Sequence, residues 1–539
     1  MSLSGSAAGT EPGAGAGTAT GAGAGGGTGA NPSAPTPVTP VDAAPDKVGE
    51  RMAGPRVPVD DALVDRLRDV CAEVTTDPSD RMEAGRDWWP LAIRWAMDGE
   101  VPALPAVVAR PSDGAQVASV LAACHDARVP VTAMAGRSGV CGSSVPVFGG
   151  VSLDLCGLAG VRSVDATSLL ADVLPGTFGP DLEQVLQAEG FTVGHWPQSM
   201  ALSTVGGWLA CRGAGQYSTR YGKIEDMVAG LEVALGDGRM VRTGGTGPRA
   251  AVGPDLTQLF VGSEGVLGVI ISATLRLHPL PPVQSRHAYG FPTFAAGLEA
   301  CRGALRRGAT PAVLRLYDEV EAQRNFAVEG QALLIVLDEA DPPLLEATMA
   351  VVESECAANA GQPLDDALVE RWLEHRNDVS ALAPLYRAGI VVDTIEVAAP
   401  WSALGALYES TLQALRSVPG TLAASAHESH AYPDGACLYF TFAGRRPDGG
   451  DGEDAAGDRV WAEDYYDTAW EAAMDVVMRA GGAISHHHGI GINRARFVAR
   501  ALGEGFDVLR RVKDALDPRG ILNPGKLGLP SPFGEVPWP

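Results

Sequence analysis

Four glycine-rich segments follow one another between residues 134 and 270. The first is Gly136-Arg137-Ser138-Gly139-Val140-Cys141-Gly142. The second runs from Pro197-Gln198-Ser199 through Ser203-Thr204 to Gly206-Gly207. The third is Cys211-Arg212-Gly213-Ala214-Gly215, and the fourth is Gly262-Ser263-Glu264-Gly265-Val266-Leu267-Gly268-Val269-Ile270. Glycine lets a backbone bend sharply and approach a ligand closely. A dinucleotide needs that approach, because main-chain N–H groups must reach its pyrophosphate. One such segment alone is a turn signal; four in order constrain the chain far more. No GxxxxGK[ST] is present, and no GxGxxG follows a strand, so P-loop and Rossmann sites are disfavoured.

Around these segments strand and helix patterns alternate from about residue 105. Ser112 reads as an N-cap before Val117, Val120, Leu121 and Cys124 at helical spacing. Val129 to Ala133, Leu169 to Leu174 and Val266 to Leu277 are β-prone. Leu182, Val185 and Leu186 share a helix face, as do Phe506, Leu509, Val512 and Leu516 before Asp517-Pro518. With 539 residues, 46% of them hydrophobic, the chain can build two or three packed domains. Residues 1 to 48 lack large apolar side chains and are expected to form a disordered tail. Residues 445 to 457, rich in Gly and Asp, read as a surface loop.

A formal net charge of −24 argues against nucleic acid and anionic membrane as partners. No apolar run reaches the roughly 20 residues of a transmembrane helix, and no secretory signal is visible. Eight scattered cysteines without a CxxC pair read as reduced thiols and a cytoplasmic protein.

A second constellation lies near the end. His486-His487-His488 stands between Gly481-Gly482 and Gly489-Ile490-Gly491. Imidazole titrates near neutrality, and the glycines free the backbone to bend. Successive side chains diverge on a helix or strand, so three adjacent histidines cannot all face one metal from regular structure. A loop facing a cofactor or substrate is favoured over a metal site or a bare surface.

Taken in order, the four segments resemble the FAD-binding domain of the vanillyl-alcohol-oxidase (PCMH) type, over roughly residues 100 to 280 and again at Asn523-Pro524-Gly525-Lys526. The resemblance implies an α+β enzyme: a two-subdomain FAD domain over 101–281 after a helical segment at 49–100, a substrate cap over 282–480, and the histidine loop with a C-terminal helix over 481–530. By position it assigns the pyrophosphate to Ala135, Gly136, Arg137, Ser138, Gly139 and Val140. It assigns the rest of FAD to Pro197, Gln198, Ser199, Ser203, Thr204, Gly207, Arg212, Gly213, Ala214 and Glu264, Gly265, Val266, Leu267, Gly268, Val269, Ile270. The first loop has no histidine, so noncovalent FAD is expected.

From about residue 100 to 527 the chain is similar to the alkyldihydroxyacetonephosphate synthase family. The residues that carry this are Tyr221 to Asp226, Pro311 to Leu316, Cys437-Leu438-Tyr439-Phe440 and the histidine run. This resemblance implies exchange of an acyl ester for an alkyl ether through a flavin–substrate adduct. It gives Tyr439 the acid/base role, supported by His486, His487 and His488, with Arg315 on a small-molecule or lipid-like substrate, in a chain that can dimerise. The alternative is an FAD-linked oxidase or dehydrogenase of a 2-hydroxy acid or alcohol. Those enzymes carry a GHxGDGNxH-like metal segment, and here Tyr439 stands where its second histidine is expected, so no metal is expected. Two departures remain. Gln198 replaces the usual acid, and a substrate arginine is missing from Ala381-Leu382-Ala383-Pro384, leaving Arg376 and Arg387 beside it, with Arg387 taken as the substitute.

Overall fold

The structure is a computed structural model, and it describes residues 39–538 except 53, 246, 379–381 and 448–454. Three main sheets carry the fold. A four-stranded mixed sheet is built from Glu73–Thr75, Val107–Arg110, Val151–Asp154 and Val131–Met134. A five-stranded antiparallel sheet contains Val228–Ala234 at its second position and Val269–Arg276 at its centre. The first glycine-rich segment lies between two strands of the four-stranded sheet, and the other three lie between strands of the five-stranded sheet. The third sheet has seven strands, in the order Gln362–Leu364, Val283–Phe291, Ala332–Ala340, Val313–Tyr317, Thr421–Ala431, Gly435–Gly444, Val391–Pro400. All its pairings are antiparallel.

The strand Ala332–Ala340 shows why this third sheet sits where it does. All nine residues are buried. Alternate side chains of a strand point to opposite faces. Leu334 and Val336 pack into a core with the helices Phe294–Arg306 and Trp401–Ser417. Leu333, Ile335 and Leu337 pack into another core with Trp208, Tyr217 and Leu231 of the glycine-rich half. The sheet is therefore buried on both faces here, and the run from Ala332 to Leu337 reads as uniformly apolar rather than alternating. The second face is the one that meets the glycine-rich segments.

Several expectations shift. Asp113, not Ser112, caps the helix Gly114–Ala127, accepting from Gln116 N–H at 2.8 Å. Asp has the same cap chemistry as Ser, and the choice depends on which residue takes extended φ/ψ. The expected tail is shorter than composition implies. Residues 1 to 38 lie outside the described residues, but Thr39 is buried and its carbonyl accepts from Arg86, while Asp42 N–H donates to Ala96. The expected loop at 445–457 gives way to a helix from Ala455, and 448–454 lie outside the described residues. All eight cysteines are free thiols. No helix among the described residues is long and apolar enough to cross a membrane.

Candidate active site

A cavity of ≈ 440 Å³ lies between the glycine-rich half and the inner face of the seven-stranded sheet. Its floor contains Ala135 to Val140, Pro197 to Ser199, Ser203, Thr204, Gly207, Gly213, Ala214, Glu264, Gly265 and Gly268 to Ile270. A Cβ at Gly136 would collide with the Leu202 carbonyl, so only glycine lets the two segments touch. Among the described residues, the N–H groups of Arg137, Ser138, Gly139 and Val140 donate to no protein acceptor. Consecutive unpaired amides on a glycine loop are the donor set a pyrophosphate requires. Three expected cofactor residues fall elsewhere. Arg212 turns outward, 56% exposed, to pair with Glu225 at 3.2 Å. Val266 and Leu267 are sealed in the apolar core.

The opposite wall is one row of side chains across the sheet. Register pairs Tyr317 with His427, His427 with Tyr439, and Tyr439 with Glu396, on four adjacent strands. Cross-strand partners point to the same face, so the row faces the cavity side. Residues two places along join it: Arg315, Ser425, Thr441 and Thr394. Tyr439 donates to Thr394 Oγ1 at 3.0 Å, and its ring stacks on His427 at 4.9 Å. Arg315 and Tyr439 both line the cavity. Arg387 does not: it is exposed on the short helix Leu382–Arg387. Of the two flanking arginines, Arg376 is the one turned inward, donating to Gln216 Oε1 at 3.0 Å over the ring of Tyr217.

The histidine loop is moulded by two buried carboxylates. Glu396 Oε2 accepts from His486 N–H at 2.5 Å, and its Oε1 accepts from His488 N–H at 2.7 Å and from Arg494 Nη1 at 2.8 Å. Glu264 Oε1 accepts from Ile490 N–H at 2.6 Å and Oε2 from Gly491 N–H at 2.9 Å. Glu264, expected to meet the cofactor, thus commits its carboxylate to this loop while it lines the cavity. His487 and His488 line the cavity as well. His486 turns away, its Nε2 3.1 Å from the Tyr432 hydroxyl. Burial lowers the pKa of His487 to about 3 and of His488 to about 4. Both are therefore neutral at pH 7, and the only charged donor near Tyr439 from the expected set is Arg315.

Sequence reasoning passed over several groups. His195 lines the cavity, fully buried against Trp208 with both ring nitrogens unpaired. His430, Cys437, His486 and His487 bring ligand atoms within 4.8 Å of one another. The expected absence of a metal rested on Tyr439 occupying the second-ligand position. In the fold, Cys437 is the cross-strand partner of His430, and the bend of the loop, unlike a regular strand, converges two of the three histidines on them. The spacing of His430 and Cys437 was the available signal.

Two family models match the chain: "FAD binding domain" over residues 105–244 and "FAD linked oxidases, C-terminal domain" over 280–527. The alkyldihydroxyacetonephosphate synthase of Dictyostelium discoideum is 28% identical over 80% of this chain and 74% of its own length. A glycolate oxidase subunit of Bacillus subtilis (strain 168) is 27% identical over 83% of this chain and 93% of its own. A solved structure of an alkyldihydroxyacetonephosphate synthase shares the fold with a TM-score of 0.72, covering 90% of this chain and 89% of that one at 24% identity. A glycine-lined cradle of open amides, closed by a polar row on a capping sheet, and these matches lead to one conclusion: the chain belongs to the FAD-linked oxidases of the vanillyl-alcohol-oxidase (PCMH-type) superfamily, and its cofactor is FAD.

Proposed function

We propose that this enzyme exchanges an acyl ester for an alkyl ether on a small anionic substrate. The observation that carries the reading is the position of Tyr439: its phenol faces the cavity in one row with His427 and Glu396, and Arg315 lies on the same face. In the exchange the ester C–O bond breaks and a carboxylic acid leaves. An alcohol oxygen forms the ether bond, and the alcohol's proton accounts for the acid's. No electron is gained or lost overall. Bound FAD would supply an electrophilic ring, held by the glycine-lined floor from Ala135 to Val140 and Pro197 to Ser199. The chain supplies the rest. Arg315 holds the substrate's anion, Tyr439 moves the proton, and neutral His487 and His488 offer ring nitrogens for hydrogen bonds beside it.

We infer that FAD is held without a covalent bond, because the loop from Ala135 to Val140 carries neither histidine nor cysteine; burial also pushes the pKa of the cavity's thiol, Cys211, up to about 12. Acid precipitation is expected to release all of the flavin into the supernatant. Yellow colour retained in the pellet would refute this.

The second reading, oxidation of a 2-hydroxy acid or alcohol, is favoured by the His430, Cys437, His486, His487 group, which offers the nitrogen and sulfur donors of a zinc-like site. Two assays on one preparation separate the readings. Exchange predicts incorporation of a labelled fatty alcohol with release of the fatty acid, and a flavin spectrum that is oxidised again once the ester is consumed, without any electron acceptor. Anaerobic bleaching of the flavin by a 2-hydroxy acid, lost after treatment with a chelator, would establish the oxidative reading and reject exchange.

A further inference from the structure

Arg315 does not hang free over the cavity. Its Nε donates to the Tyr317 hydroxyl at 2.8 Å, and its Nη2 meets His427 Nε2 at 2.5 Å. A guanidinium has no acceptor, so His427 Nε2 must be the bare nitrogen and the ring proton must sit on Nδ1. That proton points at Glu321 Oε2, 2.7 Å away. Glu321 is 1% exposed, and its other oxygen accepts from Ser425 at 3.1 Å and Thr441 at 3.2 Å. His427 itself is sandwiched between Tyr317 at 5.1 Å and Tyr439 at 4.9 Å. Glu321 caps this chain from the first turn of the helix Glu319–Phe326, outside the sheet row.

We infer that His427, with its tautomer set by Glu321, is a positioning residue that holds the Nη2 edge of Arg315 while Tyr317 holds Nε, which leaves the Nη1 side for the substrate's anionic group. The same ring supports Tyr439, so one imidazole sets the spacing between the anion holder and the proton-transfer group. The need for one buried nitrogen acceptor at this place accounts for a histidine seated here with a carboxylate behind it. Burial and Arg315 lower the pKa of His427 to about 4, which keeps it the neutral acceptor this arrangement needs. The inference rests on Arg315 as the anion holder, and the test separates the two claims.

The test titrates the FAD-loaded enzyme with inorganic phosphate and with glycolate, reading the shift in flavin absorbance. Wild type is expected to bind at least one of them. Arg315→Ala should weaken that Kd by 10-fold or more, on the order expected for a lost hydrogen bond to a charged group. His427→Asn reaches Glu321 but not Arg315, and should weaken it by about 10-fold. His427→Gln places an oxygen near the Nε2 position and should stay within about threefold of wild type, since the acceptor for Arg315 is kept. Glu321→Gln, which can present N–H to Nδ1 and so put the proton on Nε2, should resemble His427→Asn. If Arg315→Ala is weak but His427→Asn binds as wild type does, the positioning role is wrong and Arg315 stands. If wild type binds neither anion, or Arg315→Ala binds as tightly, the anion-holder reading falls and the inference with it. Loss of FAD or of the thermal midpoint in both His427 variants would mark the residue as a packing element and overturn the inference.

Discussion

Tyr439→Phe should leave FAD bound and lower turnover by roughly 100- to 10,000-fold, the range for removal of a positioned acid/base. The substitution keeps the ring, and so keeps the stack on His427 at 4.9 Å and the edge contact with His488 at 5.5 Å. It deletes only the hydroxyl that donates to Thr394. Burial raises the Tyr439 pKa above its ordinary value, and Arg315 partly opposes that. The phenol therefore holds its proton at neutral pH and enters the reaction as the donor. The neutral imidazoles of His487 and His488 cannot lower its pKa as cations would; they are acceptors. A Phe variant that retains more than about half the wild-type rate would remove the proton-transfer role. Flavin lost together with activity would show that the hydroxyl serves packing instead.

The parts of this site differ in how far they can be read from residues alone. The glycine segments are legible because their chemistry is local: a run of glycines beside small polar residues means close backbone approach wherever the chain goes. The polar row is not local. Its members come from strands up to 122 positions apart in sequence, Tyr317 to Tyr439, and only sheet pairing makes them neighbours. A partial signal existed in the strands. Ser425 and His427 alternate with Ala424 and Ala426 in their strand, and Tyr439 and Thr441, and Thr394 and Glu396, are likewise spaced by two. Period-two polar residues mark one face, but pattern alone does not say that the strands are adjacent or that the face lies over a cofactor. Arg387 failed for the opposite reason. It stands close in sequence to where a substrate arginine was sought, yet it lies at the end of a short helix on the outside, while Arg376, eleven residues earlier, turns in.

Removing the Glu396 charge should be the most damaging single change to the folded protein. Glu396 and Arg494 are both fully buried, 2.8 Å apart. Removal of one partner of a buried pair costs about 3–5 kcal/mol, because the other charge stays behind without compensation. Glu396→Gln does this to Arg494, which lies over the face of Trp470 at 5.1 Å and keeps only the weaker influence of the Asp393 carboxyl as a counter-charge. It also takes a carboxylate from the N–H groups of His486 and His488, so the loop loosens as the fold weakens. Arg494→Met is expected to cost less, since Glu396 keeps Ser485 and those two amides as donors. The pH dependence follows from the sign of the shift. Burial alone would raise the Glu396 pKa, but Arg494 and the loop donors hold it well below the ordinary carboxylate range. A depressed folded-state pKa stabilises fully above the unfolded value near 4.3 and loses that stabilisation as pH falls toward the folded one. The difference in thermal midpoint between wild type and Glu396→Gln should therefore be constant from pH 6 to 8 and shrink below about pH 4. An unchanged midpoint, or an Arg494→Met variant less stable than Glu396→Gln, would show that the loop amides and not the ion pair govern this corner of the fold.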